Sequence, residues 1–448
     1  MPRRIAEAGG TRMSGTAARK ELGFWTCTAL VIGNTIGMGI FLLPASLAPY
    51  GLNALLGWGV TVVGMTLLAW VYAHLARRYP EADGPYAYLR VTVGEAAAFI
   101  AIWCYWVSLW ITNATIAIGL VGYLGTLWPA LAGPPPAVVA LGVVWVFVLV
   151  NLMGVRAGGG VQLATTALKL LPMAAVILLG GWLALHEPEA YTRHPPAVPL
   201  SWAALLPASS IALYAMLGIE SAAVPAGRVH DPERTIPRAT IVGTLLTAVI
   251  YVLVSAVPLL LIPAAELANS TAPFVDVLAR TGGGAYGRWM ALFVAISGLG
   301  CVNGWTLLTG ELTASMAGHG MLPAGLGRRN RRAAPARALL VTAVLASLMV
   351  LMNYDRSLVQ GFTFLTQLVT AANLPLYLLC ALALVVPWWR GARRARDAAL
   401  LVGLLGSAYA VFAFVGVGGE AVLWSAVLAL AGVPLYLRLR RQRLRAAA

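Results

Sequence analysis

Twelve apolar stretches of membrane-spanning length follow one another along this chain, centred near Gly37, Val63, Ile111, Trp145, Ala175, Gly218, Ile250, Gly300, Ala343, Ala371, Gly406 and Val427. A helix needs about 20 predominantly apolar residues to cross about 30 Å of hydrocarbon. In that medium an unpaired backbone N–H or C=O costs several kcal/mol, so helices satisfy the backbone where loops cannot. The expected class is therefore an all-α membrane protein with twelve transmembrane helices. A hydrophobic content of 60% with 10% charged residues excludes an ordinary soluble domain.

Two of the stretches contain glycine where an intact helix would keep its hydrogen bonds. The first runs from Phe24 to about Tyr50 and holds Gly33-Asn34-Thr35-Ile36-Gly37-Met38-Gly39. The other, about Ala203 to Pro225, holds Leu217-Gly218-Ile219-Glu220-Ser221. Broken helices survive in a bilayer where their backbone lines a cavity, and a pair at corresponding places in two halves points to a secondary transporter's substrate site. If span six repeats span one, the plan is five plus five spans with two added. Five is odd, so the second half is inverted. The repeats would cover about 23–185 and 203–385, with extra helices at about 398–438. Basic tails at 1–22 and 439–448 flank this 23–438 transporter domain.

The net charge of +15 would suggest nucleic acid in a soluble chain. Its distribution argues otherwise. Of the 31 Lys and Arg residues, 25 fall in segments on the side shared by the termini, against four (Arg193, Arg280, Arg288 and Arg356) opposite. That asymmetry predicts cytoplasmic termini in a plasma or inner membrane, with the tails drawn to anionic lipid. No nucleic-acid partner is expected. The arginine-rich start leads into a segment too long for a signal-peptide core, so it reads as a true span. Cys27, Cys104, Cys301 and Cys380 lie inside spans without metal-ligand spacing and read as packing residues. Neither a cofactor nor a metal is expected, and no nucleophile motif or phosphate loop suggests an enzyme.

The stretch Gly33-Asn34-Thr35-Ile36-Gly37-Met38-Gly39-Ile40-Phe41-Leu42-Leu43-Pro44-Ala45 resembles span one of the amino acid–polyamine–organocation superfamily. Gly218-Ile219-Glu220-Ser221-Ala222 with Asp231-Pro232-Glu233-Arg234-Thr235-Ile236-Pro237 is similar to its span six and following loop. Tyr86-Ala87-Tyr88, the run Tyr105 to Asn113, and Gly304-Trp305-Thr306-Leu307-Leu308 resemble the arginine–agmatine branch of its basic amino acid–polyamine antiporters. The resemblance extends from about Gly23 to the last span. It implies a leucine-transporter-type fold and alternating-access transport of an amino acid or its decarboxylated amine, by exchange or proton coupling. It also leaves room for a homodimer.

Candidate site residues follow. An amino acid needs donors for its carboxylate and acceptors for its ammonium, which freed N–H and C=O groups of a broken helix provide. Asn34, Thr35, Gly37, Met38, Gly39, Gly218 and Ile219 are the candidates at the breaks. Met38 stands where the resembled branch has a small serine, which argues against arginine itself. By resemblance, Trp305 would stack on a cationic side chain, Tyr214 would form a second aromatic gate, and Ser108 and Asn113 would line the side-chain pocket. Glu220 is an acid at mid-span, a costly position that marks functional interiors; by resemblance it belongs, with Tyr105, to gating and coupling. Lys169 lies too deep in span five to snorkel easily. In related branches such a lysine takes the place of a sodium ion and bridges spans one, five and eight, which argues against sodium coupling. The alternative is a purely structural lysine neutralised by Glu311 or Glu220. Met38, Tyr214 and Lys169 favour a neutral amino acid permease as the alternative, whereas Asn113, Trp305 and Glu220 favour a cationic substrate. A membrane sensor that binds without transporting is the remaining class.

Overall fold

The computed structural model describes residues 23–79, 85–194, 198–219, 229, 231–389 and 398–447, with the side chains of Asn34, 155–167, Pro232 and 443–447 outside that description. Sixteen α-helices and no strand occur among these residues. In chain order they are α1 (Phe24–Thr35), α2 (Gly39–Leu47), α3 (Leu52–Arg78), α4 (Pro85–Thr92), α5 (Glu95–Leu127), α6 (Pro136–Leu152), α7 (Val155–His186) and α8 (Trp202–Ala215). Then come α9 (Pro232–Leu261), α10 (Ala264–Leu267), α11 (Pro273–Arg280), α12 (Gly287–Gly318), α13 (Ala336–Leu351), α14 (Leu358–Trp389), α15 (Ala398–Gly416) and α16 (Gly419–Ala447). Among the described residues, eight helices are long and apolar enough to cross a membrane. The shorter apolar helices α1, α2, α6, α8 and α13 carry the remaining apolar stretches. Large apolar side chains such as Val63, Leu178, Leu185 and Leu430 stand exposed around the outside. A water-soluble protein would not present so extensive an apolar surface, whereas lipid covers it without cost.

The helices sort into two packed groups. Helices α1, α2, α3, α8 and α9 form one bundle, in which α3 packs along α8 and α9, α1 along α9, and α2 on α8. Helices α5, α6, α12 and α13 form a scaffold around α5, nearly all of which is buried. Helix α14 lies on α5 and also touches the bundle through α8 and α2, while α7 runs beside α12 and α9. Between scaffold and bundle runs a seam, and residues of both breaks line it.

The two breaks are where the glycines placed them. Helix α1 stops at Thr35, Ile36 turns to extended backbone, and α2 resumes at Gly39. Helix α8 stops at Ala215 and passes through a turn to Gly218, whose φ of +106° only glycine adopts without strain. All four cysteines are buried and none is in a disulfide.

Candidate functional site

The break between α1 and α2 leaves carbonyls without helical partners. Side chains from two other helices take them. Lys169, 2% exposed in the middle of α7, donates from Nζ to the carbonyl oxygens of Gly33 at 3.2 Å and Ile36 at 3.0 Å. Tyr251 of α9 donates its hydroxyl to the carbonyl of Thr35 at 2.9 Å. The other half of the break is open. The amides of Gly39 and Ile40, which begin α2, have no hydrogen-bond partner among the described residues. Orphan N–H groups at a helix start favour a carboxylate by direct donation and by the helix dipole.

A cavity of about 30 Å³ lies beside that break. It is lined by Thr35, Gly37, Met38, Gly39 and Ile40 from the break, Tyr214, Ala215 and Leu217 from the second break, and Tyr251 from α9. The scaffold contributes Ser108, Leu109, Thr112, Ile116 and Trp305, and α14 contributes Asn373. The volume suits a water or two, so an amino acid enters only if the seam widens. Gly39 is required by a close approach: a Cβ there would lie 2.5 Å from Cε1 of Tyr214. Tyr214 in turn meets Phe362 of α14 edge-on, ring centres 6.2 Å apart. Met38 is fully buried and its thioether is seated over Gly298 of α12, where a Cβ would come within 2.9 Å of the sulfur.

Of the residues expected from sequence, Thr35, Gly37, Met38, Gly39, Ser108, Tyr214 and Trp305 meet at this cavity. Gly218 and Ile219 sit in the second break just behind it, Ile219 fully buried. The Asn34 side chain and Glu220 lie outside the described residues. Asn113 does not line the cavity. Its amide donates to the Leu109 carbonyl and to Thr309 Oγ1 and accepts from Thr306, while Thr309 donates to the carbonyl of Trp305. Asn113 therefore clamps the turn of α12 that carries Trp305 onto α5. Tyr105 offers its carbonyl to the Ser108 hydroxyl at 2.7 Å.

The alternative pairing of Lys169 with Glu311 is corrected. Glu311 forms a two-pronged ion pair with Arg329, at 2.9 and 2.6 Å, in the segment after α12. The reason is placement: six residues after Trp305, α12 has carried Glu311 toward the arginine-rich end, where its side chain is partly exposed. Among the described residues, the hydrogen bonds of Lys169 run from α7 to Gly33 of α1 and to Ile36, which joins spans five and one. Tyr251, Thr112 and Asn373 were missed from sequence. The available signal was a polar atom in the middle of an apolar helix, and for Asn373 a proline two residues on.

The chain matches the amino acid permease family over residues 22–434. It is 34% identical over 350 residues to the cadaverine/lysine antiporter of Escherichia coli strain K12, covering 76% of this chain and 77% of that protein. It is 30% identical over 424 residues to the putrescine transporter PotE of Haemophilus influenzae, covering 94% of this chain and 97% of that one. PotE of Escherichia coli strain K12 is 31% identical over 425 residues, with 94% and 96% coverage. A broken helix that lines a buried cavity, in an all-helical apolar bundle, accords with that match, and the chain belongs to the amino acid permease family within the amino acid–polyamine–organocation superfamily, a family of membrane transporters and not of enzymes.

Proposed function

We propose that this protein exchanges a basic amino acid for the diamine that its decarboxylation yields, by alternating access and without sodium. The observation that carries the sodium-independence is Lys169: its ammonium already occupies the carbonyls that a metal cation at the α1 break would need. The choice of a basic amino acid and a diamine is supported by the relatives named for cadaverine, lysine and putrescine. It is also supported by the presence of Trp305 at the cavity, because an aromatic face attracts a cationic side chain. The carboxylate of the amino acid would be held by the free amides of Gly39 and Ile40; the diamine lacks that group and binds by its ammonium ends.

In this reading the helices make twelve spans with both termini cytoplasmic in the inner membrane. The repeats run over about 23–185 and 203–385, and α15 and α16 are added. Rocking of the bundle, which carries both breaks, against the scaffold, which carries Trp305 and Ser108, widens the cavity toward one side and then the other. Glu220 would serve coupling at the second break. A lipid bilayer is the environment, and a homodimer remains compatible with the exposed apolar face of α16.

A second reading, a neutral amino acid permease, is favoured by the walls formed by Met38, Ile40, Leu109 and Ile116 and by the lack of an acidic side chain among the described lining residues. Reconstituted protein and competition for labelled lysine uptake separate the two. Lysine, ornithine, cadaverine and putrescine should compete at concentrations where leucine, methionine and serine do not. Competition by the neutral set alone would overturn the proposal in favour of the second reading.

A further inference from the structure

We infer that Asn373 of α14 forms the subsite for the substrate's side-chain ammonium. The argument begins with a single proton. Ser108 Oγ donates its hydrogen to the carbonyl of Tyr105 at 2.7 Å, so that hydroxyl can only accept from other neighbours. Asn373 lies 3.3 Å from Ser108 Oγ and must present its NH2 there. The amide orientation is thereby set by the network, and the carbonyl end, Oδ1, points elsewhere. Asn373 is 3% exposed, and Oδ1 accepts no hydrogen bond among the described residues, although it belongs to a residue that lines the cavity.

A buried amide oxygen without a donor is costly to keep, and such an atom calls for an explanation such as an ion, a water or a ligand. What Oδ1 can take is a hydrogen-bond donor. It cannot serve a carboxylate, whose oxygens only accept. The free amides of Gly39 and Ile40, residues that line the same cavity, offer the opposite chemistry. Residues lining the cavity thus carry free donors on α2 and an unserved acceptor on α14, a pairing that suits a ligand with a carboxylate at one end and an ammonium at the other. Thr35, which also lines the cavity, carries a second oxygen with no partner among the described residues, an acceptor for the α-ammonium in this proposal. A diamine would use both acceptors and leave the amides unserved.

The inference rests on the proposed cationic substrate, and paired analogues separate the two claims. Norleucine has the carbon chain of lysine without the terminal ammonium, and pentylamine stands in the same relation to cadaverine. Binding of these four compounds to purified protein should be measured for wild type, Asn373→Leu, Asn373→Asp and Asn373→Ser, each checked for monodispersity in detergent. Wild type should bind lysine about ten- to a hundredfold more tightly than norleucine, the range for a hydrogen bond to a charged group. Asn373→Leu should bring that ratio to within about twofold of one by weakening lysine and cadaverine while sparing norleucine and pentylamine. Asn373→Asp should keep or enlarge the ratio.

A purely structural role for Asn373 would weaken all four compounds together. If Asn373→Leu does not yield monodisperse protein, Asn373→Ser carries the test with the same expected loss of discrimination. A high ratio in wild type that survives in the leucine or serine variant would overturn the inference while leaving the cationic substrate in place. A wild-type ratio near one would overturn the cationic substrate and the inference with it.

Discussion

The ammonium of Lys169 stands 3.0 Å from the carbonyl oxygen of Ile36 and 3.2 Å from that of Gly33, on either side of the point where the first span unwinds. A single side chain of α7 thus ties the end of α1 to the start of the break. In a low-dielectric interior such charge-assisted bonds are stronger than their neutral equivalents. The lysine stabilises a backbone conformation that a helix in lipid would otherwise avoid, and it leaves the donor groups of α2 free for substrate.

Gly39 and Gly37 should respond differently to the same added methyl group. A Cβ on Gly39 would collide with Tyr214 at 2.5 Å, whereas one on Gly37 meets nothing nearer than 4.0 Å. Gly39→Ala should lower thermal stability in detergent, in line with overpacking costs of about 1–3 kcal/mol, and reduce uptake more than tenfold (roughly, from that same cost). Gly37→Ala should fold like wild type. Equal melting temperatures for the two variants would show that the contact between α2 and Tyr214 is not tight.

Trp305→Ala should raise the apparent KM for a cationic substrate by about 2- to 30-fold, the range for losing a cation–π contact, without removing folded protein from the membrane. Trp305→Phe should recover part of the affinity, since it retains an aromatic face. Identical KM values for all three proteins would reduce this residue to packing. Because Asn113 holds the turn carrying Trp305, Asn113→Ala should weaken substrate binding indirectly.

Both breaks, the cavity's first wall and two of its aromatic side chains, Tyr214 and Trp305, were legible in the sequence because each carries a local signal. Glycine in an apolar run, asparagine beside it and a tryptophan within a recognisable motif all announce themselves within a few residues. The partners of these groups were not legible. Tyr251 reaches the Thr35 carbonyl from α9, and Asn373 reaches Ser108 from α14, across sequence separations of 216 and 265 residues. Nothing local to either helix specifies that meeting. Glu311 shows the converse: its composition and span suggested a buried partner, but three-dimensional position gave it to Arg329 at the end of α12.

At the end of the molecule opposite the arginine-rich one, α11 docks on α2 through Phe274 against Phe41, ring centres 5.1 Å apart. Its Asp276 accepts a hydrogen bond from Ser270. Burial raises the Asp276 carboxyl above its ordinary 3.8, the Ser270 hydroxyl works against this, the nearby Glu266 adds to it, and Arg280 opposes it. A raised carboxyl pKa means that the docked form prefers the protonated acid. Its contribution is full below about pH 4 and is lost as pH rises through the raised value. Amide exchange in α11, corrected for intrinsic rates, should therefore slow as pH falls from about 6 to about 4. Asp276→Asn should flatten that dependence. An unchanged pH profile in this variant would assign the effect to another group.

The central claim, that the Lys169 ammonium does the work of a metal cation at the break, is tested most directly by exchange across proteoliposomes in sodium-free choline buffer. Vesicles loaded with labelled cadaverine should release it when lysine is added outside, at the same rate whether sodium or choline is present. Lys169→Ala should slow that release at least tenfold (about the loss of one charge-assisted hydrogen bond), and choline should again make no difference. A wild-type protein that needs sodium, or a Lys169→Ala protein that exchanges as fast as wild type, would contradict the account.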